Sequence, residues 1–337
     1  MEKEALNLNN AENDLNYPIY QQEENFTNED ISHKKEKEKN HEYFEIIDTR
    51  EDFYRKDIEG ETDDKLRNMK EMNLSVLKNH NQTVLDYANT IIETMPNLSE
   101  EETACAIIAT ILHDSGKLNS TLKDHHLGSV QRAKEILEPM RGRKINNLEI
   151  NEESIQTILN AIERHMNHPF MVNIINGGEK YPEPENIIDK IVFDADMLAN
   201  ISFKNVGFRL ATSDFLARDE KDATEKNITT LEQSFRNVLY DKNGVGDVVN
   251  VITSNEGKKI AENTANKLYM IFEDFKSRGV FEKIQDMFSE NGTFSVETIL
   301  KRGGGQLDVI KKIINEEIEN SCIALKIDKT LTKYFQI

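Results

Sequence analysis

The chain has no tryptophan and only two cysteines, Cys105 and Cys322, set far apart. Two distant thiols supply neither a structural zinc quartet nor a disulfide framework, so a reducing compartment, the cytoplasm, is the expectation. No apolar run approaches the roughly 18 residues of a membrane span. The opening residues, MEKEALNLNNAEND, are too acidic and polar for a signal peptide. Cationic side chains are also in deficit: 42 Lys and Arg stand against 61 Asp and Glu, a net charge of -19. Such a chain is repelled by phosphate backbones, which excludes nonspecific nucleic-acid binding and adhesion to anionic membranes. A bound metal can still make one pocket locally positive. Strand signals are nearly absent, and the fold class is therefore all-α.

Composition divides the chain in three. Residues 1–69 are rich in Asn, Glu and Lys, include the run KKEKEK at Lys34–Lys39, and carry few apolar residues at helical spacing. Such a segment cannot bury enough surface to offset its ordering entropy, and a disordered acidic arm is expected. Its one apolar cluster, Tyr43, Phe44, Ile46 and Ile47, is placed to dock on the core or a partner, whereas His33 and His41 lie in polar surroundings. Residues 70–221 show helical periodicity, and residues 222–337 form a further helical region, the natural surface for a second copy of the chain or a protein partner. Within that region the run KRGGGQ at Lys301–Gln306 precedes a helix but lacks the spacing and preceding strand of a phosphate-binding loop, so it reads as a helix break.

The stretch IIATILHDSGK, Ile107–Lys117, stands out. An apolar helix runs directly into His113-Asp114, which sets an imidazole and a carboxylate side by side on a rigid base. An Asp there is able to bridge two cations while the His anchors one. Gly116 is placed to end the helix. A lone His-Asp pair is common, but six of the eight histidines fall between His80 and His168. His80 shares the face of Val84 and Ala88. His125 and His126 open a helix carrying Val130, Ala133, Ile136 and Leu137, and His165 continues the stripe of Ile158 and Ile162. Asp194 and Asp196 both lie at the margins of the apolar face of a fifth helix, Ile187–Leu198. One such histidine is ordinarily a satisfied core residue. Five positions on five helices are harder to explain by packing, because buried charges and imidazoles cost free energy unless paired or ligated. Bundles build dinuclear metal sites in this manner.

The order His, His-Asp, His, His, Asp on helices resembles the HD superfamily of metal-dependent phosphohydrolases. His80 with Val84 and Ala88 is similar to its first-histidine pattern, and His113-Asp114-Ser115-Gly116-Lys117 to its HDxGK motif. His125-His126-Leu127-Gly128-Ser129 resembles the third-histidine helix, Ile162-Glu163-Arg164-His165 the fourth, and Asp194-Ala195-Asp196-Met197-Leu198 the closing motif. The resemblance covers about Leu74 to Ala217. It implies an HD-type helical bundle with one or two divalent ions (Mn, Fe or Mg). His80, His113, Asp114 and Asp196 would hold the first ion, with Asp114 bridging. His125 and His165 would complete the second; His125 is preferred to its neighbour His126 by its distance from Ser129, and His168 is a substitute for His165. Only the resemblance favours Asp196 over Asp194.

The implied chemistry is hydrolysis of a small phosphoester, a nucleotide first among them, by a water activated on the metal. Asp114 and Lys117 carry the catalytic roles, Lys117 by reaching a phosphate; Arg141, Arg143 and Arg164 are further phosphate candidates. Two rivals remain: a dinuclear-iron oxygenase or hydratase on the same scaffold, and a non-catalytic signalling module that binds partners.

Overall fold

The computed structural model describes residues 43–204, 206, 231–288, 305–328 and 331–335, and these are almost entirely helical. Six helices build the part that carries the histidines: α1 (Phe44–Glu59), α2 (Asp64–Glu93), α3 (Glu100–Leu112), α4 (His125–Leu137), α5 (Glu152–Glu163) and α6 (Ile187–Ala199). Helix α2 packs on α3 and α6, α3 on α5 and α6, and α5 on both α4 and α6. The helix starts are encoded locally. Ser99–Glu102, Asn151–Ser154 and Asn186–Asp189 each form a reciprocal capping box at the head of α3, α5 and α6. Each such cap contributes about 1 kcal/mol and fixes where its helix begins. Helix α3 is central: every residue from Ala104 to Leu112 is buried.

Residues 44–59 and 64–69, which composition assigns to the arm, are helical rather than disordered. Tyr43, Ile46, Ile47 and Tyr54 are buried along one stripe of α1, so the apolar cluster does dock on the core. Polar anchors reinforce it: Arg50 donates to the Ile111 carbonyl at 2.9 Å, and Arg132 pairs with Asp57 at 3.0 Å. A helix with a narrow apolar stripe and many surface charges has the bulk composition of a disordered segment, which is why composition misplaces it. The expected arm before residue 43 lies outside the described residues.

The turn after α3 is pressed onto α4. A Cβ added at Gly116 would lie 2.2 Å from the Gly128 carbonyl carbon, and the Gly116 amide donates to Ser129 Oγ at 3.1 Å. Gly116 therefore serves close backbone approach; α3 has already ended at Leu112. Between α4 and α5 a short antiparallel hairpin pairs Lys144–Ile145 with Leu148–Glu149. Asn146 and Asn147 both have positive φ, 44° and 66°, as a two-residue hairpin turn of this hand requires.

Beyond the six helices, α7 (Leu231–Tyr240), α8 (Val245–Val251), α9 (Asn255–Ser277), α10 (Val280–Phe288), α11 (Gly305–Ala324) and α12 (Thr332–Phe335) follow. Helix α9 packs on α6, α7, α8, α10 and α11. Phe235 meets Phe203 with ring centroids 4.8 Å apart, and one continuous core runs from Tyr43 to Phe335. The glycine run at Lys301–Gln306 falls outside the described residues up to Gly305, where α11 begins. No described helix is long and apolar enough to cross a membrane.

Candidate metal centre

Five helices deliver the expected residues to one place. His80 projects from the middle of α2, His113 and Asp114 follow α3, His125 opens α4, His165 lies just past α5, and Asp196 sits in α6. His113, Asp114 and His165 are at most 1% exposed.

Asp114 stands between two histidine groups. Its Oδ2 lies 3.6 Å from Nε2 of both His80 and His113. Its Oδ1 lies 3.3 Å from Nε2 of His125 and 3.8 Å from Nε2 of His165. These form two ligand clusters, His80–His113–Asp114 and Asp114–His125–His165. Asp196 joins the first group from the side, its Oδ1 3.0 Å from His80 Nε2.

The hydrogen bonds on the far side of three rings decide what these nitrogens can do. Nδ1 of His113, His125 and His165 donates to the carbonyl three residues back, of Thr110, Leu122 and Ile162, at 2.7, 2.7 and 2.5 Å. In the neutral ring the proton is then on Nδ1, and Nε2 presents a bare lone pair inward. Those lone pairs face carboxylate oxygens, and His125 Nε2 and His165 Nε2 face each other at 3.3 Å. Acceptor opposite acceptor is repulsive unless a proton or cation stands between them. His113 Nε2 and Asp114 Oδ1 are buried and have no hydrogen-bond partner among the described residues. Nitrogen and oxygen lone pairs converging with only the Lys117 ammonium as a donor among them, and three of the rings oriented from behind, are what divalent ion ligation needs. Both cysteines are buried elsewhere, so the set is all nitrogen and oxygen and suits Mn, Fe or Mg. One or two divalent ions fit these clusters.

The electrostatics agree. Burial opposes ionisation of Asp114, but the Lys117 ammonium and the surrounding imidazoles hold its carboxyl well below the usual range. Asp196 is likewise held low against its burial by His80, His113 and His165. Burial pushes His113 down to about 4, so it stays neutral and able to ligate. His165 moves the other way: burial is outweighed by Asp114 and Asp196, and its pKa is raised.

Other expected residues are placed differently. Lys117 Nζ donates to Asp114 Oδ2 at 2.6 Å and is about a third exposed. The His126 ring turns from the clusters and meets Tyr181 edge-on at 5.2 Å. Asp194 faces α9: its two oxygens accept from the amides and hydroxyls of Thr253 and Ser254 at 2.5–2.9 Å. Gly257 leaves room for it, since a Cβ there would lie 2.7 Å from Asp194 Oδ2. Arg141 pairs with Glu138 and Glu152, Arg143 with Glu45, and Arg164 with Asp189 and Glu185, all away from the clusters. Sequence reading missed the supports of the His-Asp turn. Tyr54 donates to the Asp114 carbonyl at 3.3 Å, and Asn81 donates to Tyr54 at 3.2 Å. The spacing of Tyr43, Ile47 and Tyr54 is the signal that α1 belongs to the core.

Comparison with known proteins agrees with this geometry. Residues 77–201, which contain every member of both clusters, match the HD domain family. No curated protein and no solved structure gives a significant match. Residues 77–201 are an HD domain, and its two ligand clusters are those of a metal-dependent hydrolase.

Proposed function

We propose that the protein hydrolyses a small phosphoester, a nucleotide first among the candidates, in the cytoplasm. One observation supports this most: the two oxygens of Asp114 are divided between two histidine clusters. His80, His113, Asp114 and Asp196 would hold one ion and Asp114, His125 and His165 the other. When bound, divalent ions supply an activated water and neutralise charge building on phosphoryl oxygens. The chain supplies the rest. The carbonyls of Thr110, Leu122 and Ile162 fix three imidazoles as ligands. Lys117, partly exposed beside Asp114, offers an ammonium to an arriving phosphate. Its charge favours an anionic substrate, which an oxygenase or hydratase does not require. The net charge of -19 disfavours a polyanionic polymer and suits a small phosphoester. Residues 70–221 are the catalytic unit in this reading, and residues 222–337 buttress α6 through Asp194.

The test is an assay of the full chain, supplied with Mn or Mg, against nucleoside mono-, di- and triphosphates and a generic phosphodiester. Hydrolysis of at least one, lost in Asp114→Ala, is expected. A metal-loaded wild type that hydrolyses none of them, or an Asp114→Ala protein of equal rate, overturns the reading. Metal-dependent oxygen consumption in place of hydrolysis would assign the site to oxidation chemistry.

A further inference from the structure

His168 has the opposite orientation to the ligand histidines. It lies between α5 and a single π-turn, Met171–Ile175, in a backbone held on both sides: its amide donates to the Met166 carbonyl at 2.8 Å and its carbonyl accepts from Val172 at 3.0 Å. The side chain is held as well. The Phe170 amide donates to His168 Nδ1 at 3.0 Å. An Nδ1 that accepts carries no proton, so in the neutral ring the proton is on Nε2. That Nε2–H is buried and has no partner among the described residues. A nitrogen that carries its proton has no lone pair for a metal. A buried N–H without an acceptor is unfavourable, so this donor is placed for an acceptor that the described residues do not supply.

The surroundings indicate which acceptor. The His168 ring lies within electrostatic range of Asp196, His80 and Lys117, two members of the first group and the ammonium next to it. Burial, opposed by Asp196, pushes the ring down to about 4 and keeps it neutral. His168 also walls a partly open cleft of about 20 Å³ with Asn200, Asn243 and Gly244. That is room for one water-sized group. Asn200 donates to the Asp196 carbonyl at 2.8 Å, which ties the cleft to the ligand helix.

We propose that His168 is a substrate-binding residue, a neutral Nε2–H donor to a phosphoryl oxygen at the metal centre, and that it ligates no metal. This rests on the phosphohydrolase reading. The substitutions His168→Asn and His168→Gln separate the two ring nitrogens. Asn keeps an acceptor for the Phe170 amide and removes the distal donor, whereas Gln keeps a donor near the Nε2 position. Each full-length protein, loaded with Mn, is titrated with inorganic phosphate by calorimetry, and its metal content and KM are measured. The expected result is unchanged metal content in both variants, about tenfold weaker phosphate binding in His168→Asn, and recovery of most of that loss in His168→Gln. Loss of metal in His168→Asn would make His168 a ligand and overturn the proposal. Wild-type phosphate affinity and KM in His168→Asn would overturn it too, while leaving the hydrolase reading intact. A metal-loaded wild type that neither hydrolyses a phosphoester nor binds phosphate would overturn both.

Discussion

The phenolic hydroxyl of Tyr54 donates to the backbone carbonyl of Asp114 at 3.3 Å, so α1 supports the turn that presents the shared carboxylate. Arg50, one turn earlier, donates to the Ile111 carbonyl at 2.9 Å and caps the end of α3. The same short helix therefore holds both sides of His113-Asp114 from behind.

Removal of residues 1–64 is accordingly expected to weaken the centre as well as shorten the chain. Tyr54→Phe should cost about 1 kcal/mol, the net worth of one hydrogen bond, and lower metal affinity. Arg50→Ala should cost more, because a buried carbonyl loses its charged partner. Chemical denaturation and metal titration of the three proteins check this. A truncated protein with wild-type stability and metal affinity would show that α1 is dispensable.

Asp194 and Asp196 should separate cleanly. Asp194→Ala strands the donors of Thr253 and Ser254 and should cost several kcal/mol, roughly 3, with metal affinity preserved in the protein that remains folded. Asp196→Ala should leave stability nearly intact and reduce metal affinity, since its carboxylate faces His80. Thermal unfolding alongside metal titration distinguishes them, and the reverse pattern would exchange their roles.

Much of this centre was legible in the chain, for identifiable reasons. The His-Asp pair at the end of an apolar helix and the histidines continuing apolar stripes are local patterns, and local geometry places them as read. Asp194 and Asp196 could not be told apart because α6 is buried on nearly every side, so its periodicity carries no direction. The orientation of His168 depends on the amide of Phe170 in an irregular turn, which no periodicity encodes. The Asn146-Asn147 hairpin had a signal, two residues tolerant of positive φ between apolar neighbours, and it was readable only as a loop.

Acid should destabilise the metal-free protein before its carboxylates titrate. Burial holds His113, His126 and His168 at about 4 in the folded chain. Unfolded, each titrates near ~6.5. Between those values the unfolded chain binds more protons, so stability falls as pH drops through that window. His113 alone contributes on the order of 3 kcal/mol. His165, whose folded pKa is raised, opposes this: its contribution is present below ~6.5 and lost as pH rises through the raised value. Three groups outweigh one, so the melting temperature of chelator-treated protein should fall steadily from pH 7 to about 4.5. A flat or rising profile would show that these rings are not buried neutral.

Lys117→Ala should leave metal binding intact or strengthen it, because the ammonium on Asp114 Oδ2 competes with a cation for the same oxygen. Its effect on hydrolysis should lie mainly in KM, raised several-fold, if Lys117 holds substrate phosphate. Steady-state kinetics with saturating Mn decide this. A fall in kcat at constant KM would instead place Lys117 in the chemical step.

The most direct measurement is the number of divalent ions bound per chain, by elemental analysis after Mn loading and desalting, in wild type and Asp114→Ala. A carboxylate whose two oxygens serve two clusters predicts two ions in wild type and loss of both in the variant, with the helical fold retained. An Asp114→Ala protein that keeps its full complement of metal would contradict the shared role of Asp114 and the centre built around it.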